Sequence, residues 1–119
     1  MKRVLLLVVS LLACAGLAWA HSSFLRSEPK EGATLKQAPN EIRIWFSEPI
    51  KTGLSTFEVR DATGKQVDRR DLHADAKEPA LVRLSLASGL GPGVYKVTWT
   101  AVAQDMHPGK GTFSFRVGP

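Results

Sequence analysis

The chain has one cysteine, Cys14, and it falls within the first 20 residues, ahead of every segment patterned for folding. A domain that begins after it has no disulfide and is held by packing alone. The absence of a thiolate excludes cysteine nucleophiles, thiolate zinc sites and the sulfur ligand of a blue-copper electron carrier. Methionine is nearly as scarce, with only Met1 and Met106. Long apolar runs are missing too. Val4–Ala13 is too short to cross a bilayer, and no later segment comes close. Charge of one sign is nowhere concentrated. The 16 basic residues less Lys2 and Arg3 leave 14 against 11 acidic ones, a formal +3 that is scattered along the chain. That pattern argues against a nucleic-acid groove. No segment carries a helical apolar stripe of useful length, and only Leu35–Ala38 has room for a single helical turn. Internal repeats, low-complexity stretches and domain linkers are absent.

The opening 20 residues have the anatomy of a secretory leader. Lys2 and Arg3 form the basic start, Val4–Ala13 the apolar stretch, and Ala18-Trp19-Ala20 a small-x-small cleavage site. Cleavage after Ala20 leaves residues 21–119, one small domain, with His21 at its N-terminus. Such a histidine offers its α-amine and its ring Nδ1 to a metal from a single residue. A competing reading takes Leu11-Leu12-Ala13-Cys14 as a lipobox, with Cys14 lipidated as the new N-terminus. That processing would lock the His21 amine into a peptide bond.

The mature segment is dominated by apolar–polar alternation. Ile42, Ile44 and Phe46 alternate with polar neighbours, as do Phe57 and Val59, then Val82, Leu84 and Leu86. Tyr95, Val97, Trp99 and Ala101 continue the pattern, followed by Phe113, Phe115 and Val117. Turn residues punctuate these runs at Pro29–Gly32, Ala38–Asn40, Asp61–Gly64, Gly89–Gly93 and Pro108–Gly111. Ser23–Arg26 is expected as an opening strand and Val67–Leu72 as a weak one. Residues 68–79 are charged and irregular, and are expected to form a solvated excursion. The pattern predicts an all-β, Greek-key sandwich or barrel of about seven strands, with antiparallel sheets packed face to face and an immunoglobulin- or cupredoxin-like size. Trp99 falls on a core register. Trp45 falls on the opposite register from Ile44 and Phe46, partly exposed.

The chemistry is concentrated at Asp105-Met106-His107, after the longest strand and before a tight turn. In extended backbone, residues two apart share a side, so Asp105 and His107 are expected to aim at one point, with Met106 directed away. Pro108 favours extended backbone at His107. With the His21 amine and ring, this makes three nitrogens and one oxygen, a set that suits Cu(II) if planar. On spacing alone a D-x-H motif is weak. Asp105 alone reads equally as a turn cap and His107 as an exposed loop histidine. A second D-x-H, Asp71-Leu72-His73, lacks a strand context and reads as a solvated loop.

Several segments together resemble CopC-type copper-resistance proteins. They are Ser27-Glu28-Pro29-Lys30-Glu31-Gly32, Phe46-Ser47-Glu48-Pro49, Gly91–Trp99, Asp105-Met106-His107-Pro108 and Gly111–Val117. Their order and spacing agree over nearly all of residues 21–117. The resemblance implies a periplasmic copper carrier, not an enzyme, with Cu(II) ligands at His21, Asp105 and His107. It carries over Glu48 as a weak or outer contact, against which a strand-end cap or surface charge stands as an equal reading. A CopD-type membrane copper importer is the partner it implies, and one Cu(II) per monomeric chain the expected load. The methionine- and histidine-rich loop that binds Cu(I) in some relatives has no counterpart here. Two alternatives remain: a copper-dependent oxidative enzyme of the lytic polysaccharide monooxygenase type, and a metal-free immunoglobulin-like module.

Overall fold

Strands form where β-branched and aromatic residues alternate with polar ones, because one face of each segment can then leave water while the other stays solvated. The computed structural model describes residues 23–119. The leader, its cleavage site, Cys14 and His21 therefore lie outside the described residues. Within them are eight strands: β1 (Phe24–Glu28), β2 (Thr34–Leu35), β3 (Glu41–Phe46), β4 (Thr56–Arg60), β5 (His73–Ala74), β6 (Leu81–Ser85), β7 (Gly93–Val102) and β8 (Pro108–Val117). They build two four-stranded sheets, ordered β1-β3-β6-β5 and β2-β8-β7-β4. The chain passes from one sheet to the other at nearly every connection. Only β5–β6 and β7–β8 are sequential neighbours in a sheet. The expected all-β sandwich is observed.

The alternation positions translate directly into the core. Ile42, Ile44 and Phe46 of β3 and Val82 and Leu84 of β6 are buried against Phe57, Val59, Val97, Trp99, Phe113 and Phe115 of the opposite sheet. Each fully buried side chain of this size contributes about 1.5–3 kcal/mol of transfer free energy. With no disulfide in the described residues, this packing is what offsets chain entropy. Trp45 is half-buried on the outer face. The Arg26 guanidinium lies 3.6 Å from its ring centroid and that of Arg43 5.5 Å away. Cationic stems thus cover an aromatic surface that the register alone would leave open.

Three local expectations are corrected. Leu35–Ala38 forms no helical turn. Instead Thr34–Leu35 is a short strand pairing parallel to Arg116 and Val117, so the sheets are not wholly antiparallel. The one helical turn among the described residues is a 3-10 turn at Thr52–Leu54. Val67–Leu72 is not a strand. It is held by single bridges, Arg60 to Gln66 and Asp68 to Leu86. The Asp68 carboxylate is buried there and accepts backbone hydrogen bonds from Val59 (2.9 Å) and Arg70 (3.1 Å). Arg70, at φ 58°, turns the chain out of extended geometry. The excursion over 68–79 is therefore less irregular than its composition suggests, with β5 formed inside it and paired to β6.

Candidate metal centre

Three segments remote in sequence meet at one end of the sandwich. The first is the start of β1. The Ser23 amide donates to Ser47 Oγ at 2.7 Å, and the Ser47 amide donates to the Ser23 carbonyl at 2.8 Å. The second is the connection from β3 to β4, which carries Glu48. Ile50 in this connection bridges Ala103, and the Lys51 amide donates to the Val102 carbonyl at 2.8 Å. Ser55 Oγ secures the same junction, accepting from the Val102 amide and donating to the Lys51 carbonyl, each at 2.8 Å. The third is the β7–β8 loop itself. Ser23 and Phe24 share a shallow cavity with Ala101, Gly109 and Lys110, so β1 begins beside that hairpin.

Asp105 and His107 do meet, by a route different from the expected one. The loop is a turn, not extended backbone. Met106 takes φ 70°, and its amide donates to the Ala103 carbonyl at 2.9 Å. Asp105 Oδ1 accepts from the His107 amide at 3.1 Å, the bond of an Asx turn. Its Oδ2 lies 3.4 Å from His107 Nδ1. The carboxylate thus caps the turn and also faces the imidazole. Met106, expected to point away from the pair because of extended pleating, is instead displaced by a left-handed residue geometry and is exposed. The pair is solvent-accessible. Glu48 is half-buried on the neighbouring connection.

No three histidine, cysteine, aspartate or glutamate side chains among the described residues group so as to hold a metal. The second D-x-H behaves differently from the first. The Asp71 carboxylate accepts from the Ser85 amide at 2.8 Å, while His73 Nδ1 lies 2.8 Å from the Asp71 backbone carbonyl. The carboxylate is committed to β6, and hydrogen bonding from Ser85 is the main cause that holds it below the ordinary carboxylate range. Sequence reasoning overlooked Ser47 and Ser55. A serine beside a strand is an ordinary turn residue, and only the fold shows what each one ties together.

The CopC domain model matches residues 24–118. The chain belongs to the CopC domain family. It is 32% identical to copper resistance protein C of Pseudomonas syringae pv. tomato over 108 residues, 87% of this chain and 85% of that protein. It is 31% identical to the copper transport protein CutJ of Bacillus subtilis over 101 residues. That match covers 85% of this chain but only 19% of the Bacillus protein. The crystal structure of CopC from Methylosinus trichosporium OB3b aligns with a TM-score of 0.75 at 25% identity, covering 83% of this chain and 95% of that one. The β-sandwich and the CopC-type reading of the sequence agree with these relatives. No helix among the described residues is long and apolar enough to cross a membrane.

Proposed function

We propose that this CopC-family chain is an exported, periplasmic Cu(II) carrier. Removal of residues 1–20 frees His21, whose α-amine and ring nitrogen bind one Cu(II) together with Asp105 and His107. The observation that carries this reading is the Asp105–His107 pair at the end of the sandwich where β1 begins. His21 lies two residues ahead of Ser23. A chain spans at most about 3.6 Å per residue, so the terminus has a reach of roughly 7 Å from that point. Copper is favoured over zinc because a nitrogen-rich mixed set suits tetragonal Cu(II), which also tops the divalent affinity order. Glu48 serves as an outer contact. The relatives named for copper resistance and copper transport support copper as the cargo.

Loading is chelation at a surface site, without bond-making chemistry on a substrate. Asp105 orients the His107 ring as well as contributing its oxygen, as metal-site carboxylates do. The imidazoles and the amine must lose protons before the ion binds, so occupancy falls as the medium acidifies. The monomeric carrier then passes its ion to a CopD-type membrane importer.

The test is intact mass and N-terminal sequencing of exported protein, followed by Cu(II) titration read by its d–d absorption band. A chain beginning at His21 that binds one equivalent is expected, with affinity falling at least 100-fold in His21→Ala and His107→Ala. A different N-terminus, or undiminished binding in either variant, refutes the ligand set.

A further inference from the structure

The proposed ligands come from opposite ends of the chain, so something must fix the first residues against the β7–β8 loop. We infer that Phe24 and Ser47 are positioning residues for the copper site, acting as a clamp on the strand that carries His21. The inference rests on the His21 reading above and deepens it.

Ser47 engages both backbone groups of Ser23: its hydroxyl, which Ser47→Ala removes, accepts from the Ser23 amide at 2.7 Å, and its own backbone amide donates to the Ser23 carbonyl at 2.8 Å. The two bonds fix position and direction at the residue two places after His21. Phe24 supplies the apolar half. It is 41% exposed, yet its ring stacks on Trp99 with centroids 5.5 Å apart and planes at 27°. It also contacts Phe46 and Phe113, each at 6.4 Å. Trp99 lies on β7 and Phe113 on β8, the two strands that hold the Asp105–His107 loop. The aromatic contact therefore ties the chain start to the very hairpin that presents the other ligands. Simple core formation does not account for a phenylalanine left so exposed beside the site. A clamp does, because freezing the ligand strand beforehand removes ordering entropy from the binding step.

The clamp predicts that weakening it lowers Cu(II) affinity out of proportion to stability. Mature Phe24→Ala and Ser47→Ala are each expected to bind Cu(II) about tenfold more weakly in chelator competition, with faster release. Their Cu(II) EPR spectra should broaden as the terminal ligands sample more geometries. Ser47→Thr keeps the hydroxyl and should restore affinity and spectrum. Tyr95→Phe, which removes the distant Tyr95 hydroxyl bond to the Gly91 carbonyl, provides a variant that lowers melting temperature without touching the clamp. It should leave copper affinity unchanged. His21→Ala is measured alongside. If it binds poorly while Phe24→Ala and Ser47→Ala bind like wild type, the clamp is refuted and the ligand reading stands. If His21→Ala itself binds like wild type, both fall. Affinity that tracks melting temperature across all variants, Tyr95→Phe included, also overturns the clamp, since it leaves only a structural role.

Discussion

Gly111→Ala tests the packing that supports the site end of the sandwich. Gly111 is paired directly with Trp99 across β7 and β8. A Cβ placed there would overlap Cζ2 of the indole and fall 2.6 Å from Cε2 and Cη2. The ring is hemmed in by aromatic neighbours, with only the shallow cavity beside Phe24 open to it. Phe57 is stacked on it at 6.1 Å with planes at 13°, Phe24 is stacked at 5.5 Å, and Phe46 and Phe113 meet it at 6.2 and 6.0 Å. The φ of Gly111 is not in the left-handed region, so alanine suffers no backbone penalty and the effect is steric. Overpacking of this kind costs about 1–3 kcal/mol. Each aromatic pair that a displaced indole abandons adds about 0.5–1.5 kcal/mol. A loss of about 2–4 kcal/mol follows. At roughly 4–8 °C per kcal/mol for a domain of this size, Tm should drop by about 8–32 °C. Thermal unfolding followed by circular dichroism and tryptophan emission measures it. Adding Trp99→Leu should make the double variant more stable than the sum of the singles, because the clash partner is gone. A Tm within about 3 °C of wild type in Gly111→Ala, or strict additivity in the double variant, would show that the indole is not confined as described.

Asp68→Ala should destabilise the domain by about 2–3 kcal/mol in urea denaturation, since it orphans the Val59 and Arg70 amides and the Gln66 side chain. The acid limb of stability should show three loop carboxylates. Asp61 is held below its ordinary value of 3.8 chiefly by Thr63, Asp71 by Ser85, and Asp75 first by the Lys77 amide and then by Arg83. A depressed folded-state value means that the stabilisation is complete above the unfolded carboxylate range and is lost as pH falls through the lower folded values. The urea midpoint of metal-free protein should therefore hold steady from pH 7 to 5 and decline below about pH 4. Asp75→Asn should flatten part of that decline, and a midpoint already falling between pH 7 and 5 would contradict the assignment. Metal-free mature protein should give a cooperative melt, because the exposed Asp105–His107 pair lies outside the core. Saturating Cu(II) should then raise Tm by mass action, and an unfolded apo state by circular dichroism would refute that separation.

The long strands were legible because burial on one face imposes a period of two. Every apolar position of the Ile42–Phe46 and Tyr95–Ala101 runs is buried as its alternation predicts. Short elements were not legible for the same physical reason. Thr34–Leu35 and His73–Ala74 are two residues long, so they have no period to detect. Their existence depends on the edges of β8 and β6, which tertiary structure supplies. Asp68 shows a further limit. An acid in a charged stretch reads as solvated, yet a carboxylate that satisfies two backbone amides can be buried at little penalty. Nothing local distinguishes the two cases.

The D-x-H spacing brings Asp105 and His107 together, but through a turn and not the pleated strand expected, and the difference has a consequence. In a pleated strand the two side chains would project in parallel at a separation fixed by the strand. In the observed turn, Met106 at φ 70° folds Asp105 back so that one oxygen caps the His107 amide and the other faces its ring. The imidazole is thereby oriented by a residue that belongs to the same turn, independently of the rest of the chain. The first strand has no such local device. Its placement depends on contacts with β3 through Ser47 and with β7 and β8 through the Phe24 ring. One half of the candidate centre is thus encoded in three consecutive residues, which is why a motif could find it. The placement of β1 beside that turn is encoded in a tertiary arrangement, which no spacing in the sequence could reveal. Substitutions that disturb only the sandwich should consequently affect the start of β1 first and leave the Asp105–His107 turn intact.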